Sequence, residues 1–79
     1  MTLVYILEST EFPDKHYVGL TTALEPRIKE HNAGRCFHTA KWRPWRGTVC
    51  AAFATRERAV QFERYLKSGS GRAFAKRHF

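Results

Sequence analysis

The hydrophobic positions of this chain fall into two periods, and the switches between them mark its elements. Thr2 to Leu7 alternates with a period of two and is rich in β-branched and aromatic residues, which predicts a strand. Leu3, Tyr5 and Leu7 fall on one face and Val4 and Ile6 on the other. Polar residues and Pro13 between Ser9 and Asp14 end that strand, and His16 to Thr21 predicts a second that places Tyr17, Gly19 and Thr21 together. The short connection favours an antiparallel hairpin, with both tyrosines on one sheet face if the register permits.

From Thr22 the period becomes helical. Leu24, Ile28 and His31 recur at i, i+4 and i+7, Pro26 is tolerated in the first turn, and Asn32 and Gly34 are stop signals, so a helix is expected over Ala23 to Ala33. Arg35 to Arg46 has no period and reads as a long loop. Thr48 to Ala54 is expected as a third strand anchored by Val49 and Phe53. Thr55 then caps a second helix with the stripe Ala59, Phe62, Leu66, which Ser68-Gly69-Ser70-Gly71 ends; Arg72 to His78 adds a short basic helix. The fold class is therefore α+β: a small three-stranded antiparallel sheet flanked by helices, in the order β-β-α-β-α plus a short C-terminal helix. Residues 1–79 are expected to form one domain, since the chain is short for two cores.

Composition narrows the function classes. At 43% hydrophobic and 14% aromatic the chain can fill a core, which argues against disorder. Fourteen Lys and Arg against seven Asp and Glu give a formal charge of +7, a surface suited to phosphate polyanions or simply to solubility. Cys36 and Cys50 lack the paired spacing of a zinc module, although Cys36, His38, Cys50 and His31 are the conceivable ligands, and they point to reduced thiols rather than disulfides. The first eight residues lack a basic n-region and a long apolar run, so a soluble, cytoplasmic protein without membrane partners is expected.

Four kinds of side chain could carry chemistry. Arg27 and His31 lie one turn apart, where a guanidinium could hold two phosphate oxygens and an imidazole could move or orient a proton; a surface Arg beside a half-buried His is the alternative. Glu63, beside Phe62 at the edge of the apolar stripe, reads either as a ligand for a hard cation or as an ion pair with Arg27 or Lys67. Tyr5 and Tyr17 are core aromatics, or phenols that a nearby cation could turn into general bases. In the loop, Arg35, Lys41, Arg43 and Arg46 interleave with Phe37, Trp42 and Trp45, a mixture fit for phosphate contacts and base stacking; Trp45 is the better core candidate and Lys41 the better contact. Lys67, Arg72, Lys76 and Arg77 form a second basic cluster, where the Gly-rich turn could offer backbone N–H groups to a phosphate.

Taken in order, Leu3-Val4-Tyr5, Tyr17-Val18-Gly19, Arg27, His31-Asn32, Gly34 and a late Glu63 resemble the GIY-YIG nuclease superfamily, in its small stand-alone form. The resemblance implies a metal-dependent endonuclease acting on DNA, possessing one Mg²⁺ or Mn²⁺ held by Glu63. It further implies Tyr17 as general base, Tyr5 in support, Arg27 on the transition state, and His31 orienting or deprotonating the nucleophile. Gly19 would let the neighbouring helix and the phosphate approach the strand. DNA is the implied partner, with a targeting protein as a second. A non-catalytic nucleic-acid-binding module, or action on RNA, are the competing classes. Leu3 replaces the first Gly of the name motif; Leu20 and Ala75 stand where some members carry Lys and Asn, departures that bear on rate.

Overall fold

The computed structural model describes residues 1–79. Its elements are β1 (Thr2–Ser9), β2 (His16–Thr21), α1 (Leu24–Asn32), α2 (Phe37–Ala40), β3 (Trp45–Phe53), α3 (Arg56–Lys67) and α4 (Gly69–His78). The three strands form one antiparallel sheet in the order β2-β1-β3, giving the α+β class expected. No helix is long and apolar enough to cross a membrane.

β1 takes the centre because it is apolar on both faces, and only a strand covered on both sides gains from that. Its Val4 and Ile6 pack with Ala59 and Leu66 of α3, and Phe62, Phe74 and Ala75 close the same cluster. Tyr5 and Leu7 point the other way, into a second cluster with Trp45, to which Tyr17, Leu24, Ile28 and Trp42 are packed. Helices α3 and α4 thus line one face while α1 and the segment leading to β3 cover the other.

β3 begins three residues before the expected Thr48, and the reason is a bulge. Ile6 pairs with Val49 but Leu7 pairs with Gly47, leaving Thr48 as an extra residue whose hydroxyl donates to the Ile6 carbonyl at 3.2 Å. One extra residue exchanges the two faces of a strand. Val49 and Phe53 therefore join the Val4–Ile6 side, while Trp45, of the same parity, is delivered to the Tyr5–Leu7 side and is 4% exposed.

Two further expectations are corrected. The segment Arg35 to Arg46 is not a plain loop: it contains α2, four residues too short to show a period and held by side-chain hydrogen bonds instead of an apolar stripe. The Ser68–Gly71 segment does end α3, yet it also starts α4. Ser68 Oγ donates to the Tyr65 carbonyl at 2.6 Å and accepts from the Gly71 amide at 3.1 Å, so one hydroxyl serves the end of one helix and the start of the next. A Cβ on Gly71 would overlap the Tyr65 carbonyl, so the crossing needs glycine there.

Candidate active site

The end of α1 organises the site. Gly34, at φ 78°, closes the helix in the left-handed conformation: its amide bonds to the His31 carbonyl at 3.1 Å, and the Arg35 amide to that of Glu30 at 3.1 Å. His31 is the third residue of the Leu24–Ile28 stripe, so the helix turns its ring onto the sheet, where it is fully buried.

A buried polar ring needs a partner at each nitrogen, and His31 has both. Nε2 lies 2.9 Å from the Tyr5 hydroxyl and Nδ1 lies 2.8 Å from Oγ1 of Thr39 on α2. The Thr39 hydroxyl donates to the Cys36 carbonyl at 3.3 Å, which leaves its lone pair to accept from Nδ1–H. Nε2 is then the bare nitrogen, and the Tyr5 hydroxyl donates to it. Burial favours the neutral form of both groups. It pushes Tyr5 up to about 12, with Tyr17 adding and Arg27 opposing. It holds His31 below the usual imidazole range, with the Arg27 charge acting in the same direction and Glu30 against it. Tyr5 is thus a phenol donor at neutral pH, and His31 a neutral ring without a free nitrogen.

Tyr17, from the edge strand, completes an aromatic group: its ring centroid is 6.2 Å from that of Tyr5 and 4.9 Å from that of His31. It is half-buried, and its hydroxyl makes no hydrogen bond within the protein. Tyr17 also lines a groove of about 920 Å³ between the sheet and α4, together with His16, Lys67, Arg72, Lys76 and Phe79. Arg27, one turn before His31, is 39% exposed and pairs with Glu30 at 3.3 Å rather than with Glu63.

Gly19 has a different role from the one expected. It sits directly opposite Tyr5 in the register, and a Cβ there would be 2.5 Å from the Tyr5 hydroxyl oxygen and 2.9 Å from Cε2 of Tyr17. It is the Tyr5 ring, not a helix, that occupies the space over this residue.

Glu63 stands apart from that group. It lies on α3, its side chain is 16% exposed, and its carboxylate pairs with Lys67 at 2.6 Å, the ion pair left open by the sequence. It makes no hydrogen bond or ion pair to Tyr5, Tyr17, Arg27 or His31, but Lys67 and Tyr17 line the same groove. Such a shielded carboxylate suits a hard cation that keeps waters and takes phosphate oxygens. An all-protein metal cage does not fit, because no three His, Cys, Asp or Glu side chains come together, those of the conceivable zinc set included.

Of the basic residues expected at a nucleic-acid surface, Arg35, Lys41 and Arg43 are exposed around α2. Arg46 is 64% exposed but pairs with Glu8 at 2.7 Å, and Arg72 lines the groove. Two residues that sequence reasoning missed matter here. Thr39 fixes the His31 ring. Glu8 lies at the groove, its carboxyl held below the usual range first by the Arg46 hydrogen bond and then by that of His16.

The family model for the GIY-YIG catalytic domain matches residues 1–77. The chain belongs to the GIY-YIG family of nuclease domains. In GIY-YIG terms, the two name triplets, Leu3-Val4-Tyr5 and Tyr17-Val18-Gly19, run side by side on β1 and β2, so that the Tyr of one faces the Gly of the other. The chain is 36% identical over 62 residues, 73% of its length, to the structure-specific endonuclease subunit SLX1 homolog of Giardia intestinalis, and spans 17% of that relative. The solution structure of the UPF0213 protein BH0048 from Bacillus halodurans is similar with a TM-score of 0.56 at 33% identity, over 96% of this chain and 81% of that one.

Proposed function

We propose that this GIY-YIG domain hydrolyses phosphodiester bonds in DNA, with Tyr17, Arg27 and Glu63 as its catalytic residues and Tyr5 and His31 as the pair that positions Tyr17 and the helix carrying Arg27. The observation that carries this reading is the contact group of Tyr5, Tyr17 and His31, with Arg27 one helical turn before His31, in which Tyr5 and His31 bond each other and the Tyr17 hydroxyl is left without a partner in the protein.

Tyr17, as the phenolate, takes the proton of the attacking water while the water oxygen bonds to phosphorus and the bond to the leaving strand breaks. Arg27 balances the charge that builds on the non-bridging oxygens, the main electrostatic demand of phosphoryl transfer. Tyr5 and His31 hold each other and pack against the Tyr17 ring: both ring nitrogens of His31 are engaged, and Tyr5 spends its proton on Nε2. Glu63 would hold a divalent ion, Mg²⁺ or Mn²⁺, once Lys67 turns away. Such an ion supplies Lewis-acid polarisation of the phosphate. The description of the Giardia relative as a structure-specific endonuclease subunit supports a substrate recognised by its shape and a targeting subunit beside this domain.

The test is cleavage of end-labelled duplex, branched and single-stranded DNA, with matched RNA, in Mg²⁺ or Mn²⁺. Arg27→Ala and Glu63→Gln, checked for folding by circular dichroism, are each expected to lose on the order of 100-fold or more in rate. Chelation should abolish cutting. Undiminished cutting by Glu63→Gln, or cutting in EDTA, would refute the assignment, and cutting of RNA alone would transfer the activity to that polymer.

A further inference from the structure

Three aromatic residues alternate with cations between Arg35 and Arg46, and the fold treats them differently. Trp45 is 4% exposed, in the core. Trp42 is half-buried, stacked edge-on with Phe12 at 5.0 Å and flanked by the ammonium groups of Lys15 and Lys41. Phe37 alone is displayed, at 88% exposure the most exposed large hydrophobic side chain of the protein. It lines a shallow pocket of about 420 Å³ with His38, Ala40, Lys41 and Arg43.

The surroundings are as one-sided as the exposure. No Asp or Glu occurs between Glu30 and Glu57, a stretch that holds Arg35, Lys41, Arg43, Arg46 and Arg56. The platform is also rigid. Thr39, in the middle of α2 and 2% exposed, bonds His31 through its hydroxyl and accepts from the Trp45 indole N–H at 2.9 Å. With the α2 backbone held in place, only the Phe37 side chain itself has to be ordered on binding.

We propose that Phe37 stacks an unpaired DNA base while Lys41 and Arg43 hold the adjoining phosphates, so that α2 selects DNA with a single-stranded segment beside the cut. This deepens the nuclease reading and rests on it for the identity of the polymer. An apolar protein segment would want large apolar neighbours around Phe37, and beside it stand Lys41, Arg43 and His38 with only the small Ala40. A nucleotide offers a π-face and an anion together, which is the combination this surface answers. Because Thr39 joins α2 to the His31 ring, the stacked base would stand at a fixed offset from Tyr5 and Tyr17.

The experiment is fluorescence anisotropy in EDTA with a blunt DNA duplex and the same duplex carrying a single-stranded overhang, with and without abasic positions in the overhang. Phe37→Ala, whose thermal midpoint should match the wild type because the side chain is exposed, is expected to bind the overhang DNA roughly 5- to 150-fold more weakly and the blunt duplex within about twofold. Its salt dependence should not change, since no phosphate contact is removed. Abasic positions should weaken the wild type to the level of Phe37→Ala and leave the variant unaffected, and Phe37→Tyr should restore affinity. Equal loss on both DNAs, or no loss, overturns the proposal. Chelation keeps turnover out of the measurement, so a protein that binds in this way and never cuts overturns only the nuclease reading. One that cuts but ignores Phe37→Ala overturns only this one.

Discussion

Gly19→Ala is the smallest change that tests whether the Tyr5–His31 pair is the rigid centre of the site. The added methyl carbon would lie 2.5 Å from the Tyr5 oxygen, 2.6 Å from its Cζ and 2.9 Å from Cε2 of Tyr17. Tyr5, the nearer of the two, cannot yield as a flexible tip: it is fully buried, and its hydroxyl is tied to His31 at 2.9 Å. Relief therefore moves the ring and breaks that hydrogen bond. Overpacking of this kind costs about 1–3 kcal/mol, and the lost bond adds about 0.5–1.5 kcal/mol. Replacing Gly restricts the unfolded chain and returns about 0.4–1 kcal/mol. The net expectation is a loss of roughly 0.5–4 kcal/mol, which in a domain of this size lowers the thermal midpoint by about 4–8 °C for each kcal/mol.

Thermal and urea unfolding, followed by circular dichroism, would read that loss. The sharper assay is a cycle with Tyr5→Phe. In that background the nearest contact and the bond resisting the shift are both gone, so Gly19→Ala should cost about 1 kcal/mol less than in the wild type. A midpoint for Gly19→Ala within about 2 °C of the wild type, or a cycle that is additive, would show that Tyr5 is not held as described.

Thr39→Val keeps the shape of that side chain and leaves the Nδ1–H of His31 buried without a partner, so a loss of about 1–3 kcal/mol is expected in urea unfolding, and no measurable change would refute the bond. The His31 ring should also make stability depend on pH. Its native pKa lies below the usual 6.5, so between those two values the unfolded chain binds more protons. The contribution is present above pH 6.5 and is lost as pH falls toward the native value; urea midpoints at about pH 7.5 and 5 should fall less in His31→Gln than in the wild type, and parallel slopes would contradict this. Finally, Lys67 competes with any cation for the Glu63 carboxylate. Lys67→Ala should therefore tighten Mn²⁺ binding, read by calorimetry on the protein alone, whereas unchanged or weaker binding would detach Lys67 from the metal site.

The elements that could be read from the sequence are those whose burial follows a local period. β1 and β2, with alternating residues, and α1 and α3, with stripes of Leu24–Ile28 and Ala59–Leu66, needed no knowledge of distant contacts. The Glu63–Lys67 pair, four apart on one helix, was legible for the same reason. Thr48 was not, because a bulge is a property of two strands and nothing in β3 alone marks the residue left unpaired. Thr39 lay in a stretch without a period, and its value comes from α2 being set against α1, eight residues away in sequence. Asn32 was visible as a stop signal, but its use was hidden. The signal that could have found these residues is a polar side chain, capable of both donating and accepting, placed beside a helix end that is about to be buried.

Asn32 shows why that placement matters for catalysis. Its carboxamide accepts from the Trp45 amide at 2.5 Å and donates to the Trp45 carbonyl at 3.0 Å, gripping the first residue of β3 by its backbone. His31, the preceding residue, points about 100° away around the helix and bonds Tyr5 of β1. Two consecutive residues thus fix the end of α1 to the central strand and to one edge strand, leaving the helix little freedom to roll or slide. Arg27 rides one turn earlier on the same helix, so the charge proposed to meet the phosphate inherits that fixed position relative to the tyrosines. Electrostatic stabilisation of a transition state depends on charges that need not reorganise when it forms. The small domain meets that demand by holding a short helix from two strands, and breaking the Asn32 grip should loosen Arg27 without touching any group that meets the substrate.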